Sequence, residues 1–300
     1  MALTISGDEQ IAGALTADEQ IAGALTADEQ IAGALTAAER QIAADALHLA
    51  ELNRRPISPL RHQFPEISAT DAYEIQRLNV ARRVSDGAVV RGHKVGLSSR
   101  VMQQMMGTHE PDYGHLMSDM FIAENTPIDI STLCAPRVEV EIAFVLAEAL
   151  PAPGCTVADV LRCTAFVCPA LEVIDSRILN WDIGLPDTIA DNASSGRVVL
   201  GGQRTSLDGL DLRTIGASLR QNGRVVASGA SGAVLGNPAT AVSWLANTVH
   251  PFGVTLEAGH VVLPGSCTRA CDVAAQQTVR ADFDVLGSVT TRFNYGHAHQ

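Results

Sequence analysis

Two glutamates stand two apart in PRVEVEIAFVL, Glu139 and Glu141, with Val140 between them. On a strand, residues i and i+2 share a face, so both carboxylates would project together. Alternating Glu is commonly a solvated sheet face, yet this face continues through Ala143 and Val145, which are unsuited to water. Two carboxylates at the end of an apolar face need cations or a metal to compensate them. Oxygen-only ligands suit Mg²⁺ or Mn²⁺ rather than zinc. A third candidate, Glu172 in CPALEVIDSR, follows Glu141 by 31 positions and also lies in apolar text. Three carboxylates that leave metal positions open would form a site able to chelate a bidentate substrate.

The positive charge is written almost wholly as arginine: 20 arginines stand beside one lysine, Lys94, in RGHKVGLSSR. A lysine is a compact charge whose pKa responds to burial, so Lys94 is an anion anchor or proton donor if it lies near the carboxylates, and a surface residue otherwise. Asp112, in EPDYGHLMSDM, is either a general base or a turn-former. His93 and His115 read as structural histidines. DTIADNASSGRVVLGG (187–202) and PGSCTR (264–269) read as loops that line a pocket. No GxSxG elbow is present, so a Ser-His-Asp triad is not indicated.

These side chains need a sheet to hold them. Val138–Leu146 reads as a strand, Asn222-Gly223 as a primed hairpin turn, and Val261–Leu263 and the alternating Val289, Thr291 and Phe293 as further strands. Few helices intervene; one opens at Asn237-Pro238 and runs through Val242 and Leu245. The pattern predicts a mostly antiparallel, β-rich catalytic domain over 89–294 with a tail at 295–300. No Gly-rich phosphate fingerprint follows a strand, which argues against nucleotide binding. Residues 37–88 form a helical N-terminal region. One helix runs through Ile42, Leu47 and Leu52 and ends before Pro56; a second starts at the capping pattern Ser68-Ala-Thr-Asp71 and ends at Ser85-Asp86-Gly87. Residues 1–36 hold three near-identical decamers of the type ADEQIAGALT. Ten residues turn a helix through 280° net, so no apolar stripe builds up. Each copy carries its own capping box, such as Thr36-x-x-Glu39, and a glycine, so the segment reads as a frayed expansion of the first helix's start.

Composition narrows the function classes. With 46% hydrophobic and 18% charged residues the chain can build a core, and its net charge of −12 disfavours nucleic acid and anionic membrane surfaces. No apolar stretch reaches the roughly 20 residues of a spanning helix. The first basic residue is Arg40, so no signal peptide is visible, and six cysteines without a CxxC pair read as free thiols. The expectation is a cytoplasmic protein.

GHKVGLSS, EPDYGHL, PRVEVEIAFVL, PALEVIDSRI, DTIADNASSG, NGRVVASG, AVLGNPATAVSWLA and PGSCTRA, in this order, resemble the 2-hydroxypenta-2,4-dienoate (2-keto-4-pentenoate) hydratases of the fumarylacetoacetate hydrolase superfamily. The resemblance spans residues 36–294. It implies a mixed α/β, β-rich roll with a small helical N-terminal region. Glu139, Glu141 and Glu172 match the family's Mg²⁺ or Mn²⁺ ligands. Lys94 matches the lysine facing the oxo-acid end of the substrate, Asp112 an active-site aspartate, and Ser194 a polar substrate-binding position in the pocket wall. The implied reaction is hydration of a small 2-hydroxy-dienoate in a meta-cleavage pathway, by a homo-oligomer that can associate with a pathway aldolase/dehydrogenase or a decarboxylase. Three alternatives stay open: a 4-oxalocrotonate-type decarboxylase, a hydratase for a dicarboxylic heptadienoate with Arg269 at the distal carboxylate, and a non-catalytic partner subunit.

Overall fold

The computed structural model describes residues 33–99, 103–104 and 107–295. The reading of the decamers therefore lies outside the described residues up to position 32. Helix α1 (Ala37–Asn53) opens at the capping box of Thr36 and Glu39. After the single turn α2 (Leu60–Gln63) comes α3 (Ala69–Ser85), whose capping box is Ser68 with Asp71. Asp71 also accepts from the backbone N–H groups of Ala34 and Leu35 and pairs with Arg40, tying α1's start to α3. Of the apolar residues assigned to α1, Leu47 is buried while Ile42 and Leu52 face outward, because the helix packs on one neighbour through the Ala43, Ala44 and Leu47 side.

Strands β1 (Val90–Gly96), β2 (Asp112–Met117), β3 (Phe121–Ile122), β4 (Pro127–Asp129) and β5 (Pro136–Leu146) follow. Helix α4 (Val157–Cys163) leads into β6 (Thr164–Asp175), α5 (Leu185–Ala190) and β7 (Ser195–Leu200). Then come the hairpin β8 (Gly216–Gln221) and β9 (Arg224–Ala230), α6 (Pro238–Val249), β10 (Val261–Leu263), β11 (Cys271–Asp272), β12 (Gln277–Phe283) and β13 (Gly287–Asn294). Positive φ at Asn222 and Gly223 makes the β8–β9 turn the primed type.

The larger sheet runs β2-β1-β10-β5-β6-β7-β3, with β11 also on β5; the smaller runs β4-β13-β12-β8-β9. Most pairs are antiparallel, but β1–β10, β3–β7 and β4–β13 are parallel. Parallel neighbours need a crossover, and the long intervening segments provide it. The stretch 187–202, expected to be a pocket-lining loop before a strand, holds that strand as β7 and does line a cavity through Thr188, Ala193 and Ser194, but the part before β7 is α5 and a tight turn instead of a loop. Its short polar residues are used inward: Asp187, Thr188 and Asp191 are buried.

Strand β5 divides its two faces. Val138, Val140, Ile142 and Phe144 belong to the main core with α3, α6 and the smaller sheet. Ala143 joins Leu116, Cys168, Ala170, Val198 and Leu263 in a second apolar cluster on the opposite face. Phe144 is fully buried, so Phe144→Ala is expected to cost about 3–5 kcal/mol in urea unfolding; a loss under about 1 kcal/mol would mean that this face does not carry the core.

Candidate metal and acid–base centre

The second face of the larger sheet changes character along its length, from the apolar cluster to Glu139, Glu141 and Glu172. Antiparallel pairing of β5 with β6 sets Glu139 opposite Glu172 and Glu141 opposite Ala170. Each glutamate offers one carboxylate oxygen, and these atoms all lie within 4.8 Å of one another. Glu141 and Glu172 are wholly buried, while Glu139 is half-buried at the wall of the cavity above them.

The edge of β5 explains the placement. β10 pairs near its C-terminal end and β11 near its start, so the ladder is interrupted between them. The 264–269 loop crosses that gap: Cys267 N–H donates to Val140 O at 2.8 Å and Gly265 N–H to Glu141 Oε2 at 2.8 Å. Gly265 has φ +120°, and a Cβ there would lie 1.8 Å from Ser98 Oγ, so glycine is required for this approach.

Lys94 arrives from β1. Its register partner is Leu263 on β10, which places it three strands from Glu172. On a flat sheet that separation would be about 14 Å between backbones. Lys94 Nζ nevertheless lies 3.3 Å from Glu172 Oε1, so the sheet curls to close this face on itself. The ammonium also donates to Ala193 O at 2.9 Å. Asp112 projects to the same side from the start of β2, as part of a strand rather than a turn, and Asp112 Oδ2 accepts from Thr188 Oγ1 at 2.5 Å. Ser194 lines the cavity, with its hydroxyl directed to Asp191 Oδ2 at 3.3 Å.

The electrostatics follow from burial. Burial raises Glu141 well above the carboxylate range, reinforced by Glu172 and Glu139; it raises Glu172 as well and brings Glu139 to about 7. Burial alone would lower Lys94, but Glu172, Asp112, Glu139 and Glu141 outweigh it and hold the ammonium form above its usual range. One cation does not satisfy three carboxylates: Glu141 Oε1 and Glu172 Oε2 find no hydrogen-bond donor. All-oxygen donors that are buried, convergent and unsatisfied fit a hard divalent cation.

The cavity above the cluster measures about 190 Å³. Besides Lys94, Asp112, Glu139 and Ser194 it is walled by Leu97, Ile174, Trp181, Ile183, Thr188 and Arg269, among others. Arg137 also lines it, stacked 4.5 Å over the Trp181 ring and paired with Asp272 at 2.9 Å. Sequence reasoning passed over Thr188 and Trp181; only the small-polar character of 187–202 pointed towards the former. His93 and His115 lie across β1 and β2 from Lys94, with ring centroids 4.9 Å apart, and His115 stacks on Tyr73. Burial lowers both, His115 to about 4, in keeping with neutral core histidines.

Residues 84–294 match the fumarylacetoacetate (FAA) hydrolase C-terminal family, whose fold is the curled sheet described above. A 2-oxo-hept-4-ene-1,7-dioate hydratase of Escherichia coli is 42% identical over 258 residues, covering 84% of this chain and 97% of that protein. A 2-keto-4-pentenoate hydratase of Paraburkholderia xenovorans (strain LB400) is 43% identical over 255 residues, covering 85% and 95%. The solved 4-oxalocrotonate decarboxylase from Pseudomonas putida G7, complexed with magnesium and adipate, superposes with a TM-score of 0.84 at 37% identity, covering 87% of this chain and 100% of that one. The chain belongs to the 2-keto-4-pentenoate hydratase family within the fumarylacetoacetate hydrolase superfamily. Among the described residues, no helix is long and apolar enough to cross a membrane.

Proposed function

We propose that this chain adds water to 2-hydroxypenta-2,4-dienoate, or a close homologue, to give 4-hydroxy-2-oxopentanoate in a meta-cleavage pathway. The observation that carries the reading is the unsatisfied trio Glu139, Glu141 and Glu172 beside the ammonium of Lys94 at the base of the cavity. Glu139, Glu141 and Glu172 would hold Mg²⁺ or Mn²⁺, which would supply Lewis acidity towards the oxo-acid end of the substrate. Lys94 anchors the oxo-acid end and stabilises negative charge developing on the C2 oxygen. Asp112, oriented by Thr188, moves the proton that converts the dienol to the α,β-unsaturated 2-oxo acid before water adds at C4. Ser194 helps to shape the wall beside Ala193. The same reading carries a cytoplasmic homo-oligomer that works beside an aldolase/dehydrogenase or a decarboxylase of its pathway.

The test is the ultraviolet absorbance of freshly generated 2-hydroxypenta-2,4-dienoate with Mg²⁺ or Mn²⁺, then with chelator. Metal-dependent decay to 4-hydroxy-2-oxopentanoate is expected. A second reading, decarboxylation of 4-oxalocrotonate, is favoured by the likeness to the decarboxylase and by Arg137 and Arg269 on the cavity wall, where a distal carboxylate would find a guanidinium. CO₂ from that acid, with no decay of the dienoate, would replace the first reading by the second.

A further inference from the structure

Between α5 and β7 the backbone does something costly. Asn192, Ala193 and Ser194 have φ of 53°, 48° and 52°, three consecutive non-glycine residues in the left-handed region. Such conformations persist only where the surroundings over-determine them, and they concentrate at functional sites.

Two devices hold this turn. The Asn192 side chain pairs with the outer edge of the larger sheet as a strand would: Oδ1 accepts from His115 N–H at 2.7 Å and Nδ2 donates to His115 O at 2.9 Å. A Cβ at Gly114, the preceding residue, would come within 2.5 Å of Asn192 O, so this docking needs glycine there. Beneath the turn lies Arg177, buried and ion-paired to Asp191. Its guanidinium donates to Asp175 O, Asp191 O and Ser195 O, which joins the end of β6 to both flanks of the turn.

The product of this arrangement is one carbonyl. Ala193 O faces the Lys94 ammonium at 2.9 Å, a neutral acceptor unaffected by whether Glu172 is protonated or engaged with a cation. An ammonium has three donors. Ala193 O takes one, the ion pair with Glu172 Oε1 at 3.3 Å draws the ammonium towards the carboxylates, and Lys94 lines the cavity between them.

We infer that Asn192, supported by the Arg177–Asp191 ion pair, is a positioning residue for Lys94: it locks the left-handed turn whose Ala193 carbonyl aims the ammonium. The kinetic side of this inference rests on the hydratase reading; the structural side does not.

Lys94 is the sole lysine, so full-length protein labelled with [ζ-¹⁵N]lysine gives one side-chain nitrogen signal that belongs to it. The signal is recorded for the wild type, Asn192→Ala and Asn192→Asp, alongside kinetics on 2-hydroxypenta-2,4-dienoate and Mn²⁺ affinity from the electron paramagnetic resonance of the free ion. In Asn192→Ala the signal is expected to move and kcat to fall about 10- to 100-fold, with KM and Mn²⁺ affinity within about twofold of the wild type. Asn192→Asp keeps the acceptor for His115 N–H and tolerates positive φ but sets a carboxylate oxygen against His115 O, so it should recover only part of both and fall between Asn192→Ala and the wild type. If Asn192→Ala does not fold, Asn192→Gly, which takes the turn without strain but lacks the clamp, is expected to show the same displacement. An unmoved signal in a folded variant overturns the inference whatever happens to kcat, and so does a kcat loss matched by lost Mn²⁺ affinity. A wild type inactive on the dienoate would instead count against the hydratase reading, with the lysine signal still deciding the positioning role.

Discussion

Glu141→Gln is expected to remove metal-dependent turnover while making the metal-free protein more stable. Activity should fall about a thousandfold or more, since a bound cation contributes several kcal/mol to the transition state and each 1.36 kcal/mol is a factor of ten. Stability should move the other way. In the metal-free protein Glu141 is a buried carboxyl beside two others, one of its oxygens has no donor, and its protonated form is strongly favoured. Glutamine keeps an oxygen for the Gly265 N–H and carries no charge. Burial raises all three folded-state values above the unfolded value of about 4.3. The unfolded chain therefore gives up these protons first as pH rises. The cluster's contribution to stability is best in acid and is lost progressively towards about 7, where Glu139 titrates, and beyond for Glu141. Asp71 and Asp282 have lowered values and act oppositely, losing their stabilisation in stronger acid. Thermal unfolding at pH 5.5 and 8, with and without Mg²⁺, checks this. The wild type should show a large Mg²⁺ stabilisation at pH 8, and Glu141→Gln almost none. A variant that melts lower than the wild type without metal at pH 8 would contradict the account.

Lys94→Met is expected to separate ion binding from turnover. Methionine matches the length and apolar stem of lysine, so packing changes little. Loss of the ammonium paired with Glu172 should tighten Mg²⁺ binding, because it competes with the ion for the same carboxylates. Turnover should nevertheless fall about 10²–10³-fold, the usual cost of removing a preorganised donor at a developing anion. Lys94→Arg should not rescue it, since a planar fork cannot replace a compact charge held between Ala193 O and Glu172. Calorimetric Mg²⁺ titration with initial rates distinguishes the outcomes. Weaker Mg²⁺ binding in Lys94→Met would show that the lysine organises the trio rather than opposing it.

Much of this site was legible before any coordinates. The period of two through Glu139, Glu141, Ala143 and Val145 describes one face of β5, and the capping boxes at Thr36 and Ser68 mark real helix starts. Local chemistry sets those features, so local text reveals them. The partnership of Glu172 with Glu139 is of another kind: it depends on the β5–β6 register across a connection that contains α4, and nothing in CPALEVIDSR fixes that register alone. The curl that brings Lys94 across three strands is a property of the whole sheet. The 187–202 stretch misled for a physical reason. Asp, Thr, Asn and Ser usually mark solvated loops, but here Asp187 caps α5, Thr188 orients Asp112, and Asp191 neutralises Arg177 in the interior. Their polarity is spent on buried partners, which a composition cannot show.

The burial of Lys94 has a practical consequence for amine chemistry. Every other basic side chain except histidine is a guanidinium, and the lysine side chain is only 3% exposed. The folded protein thus offers an acylating reagent no lysine amine at its surface. A lysine adduct can form only through the cavity that Lys94 lines and only when the ammonium, held in its charged form by the neighbouring carboxylates, gives up its proton; on the proposed reading that adduct disables the molecule it marks. The rate of acylation, read as one mass increment on one peptide, therefore reports how accessible and how often deprotonated this one amine is, and a cation that displaces it from the carboxylates should change that rate.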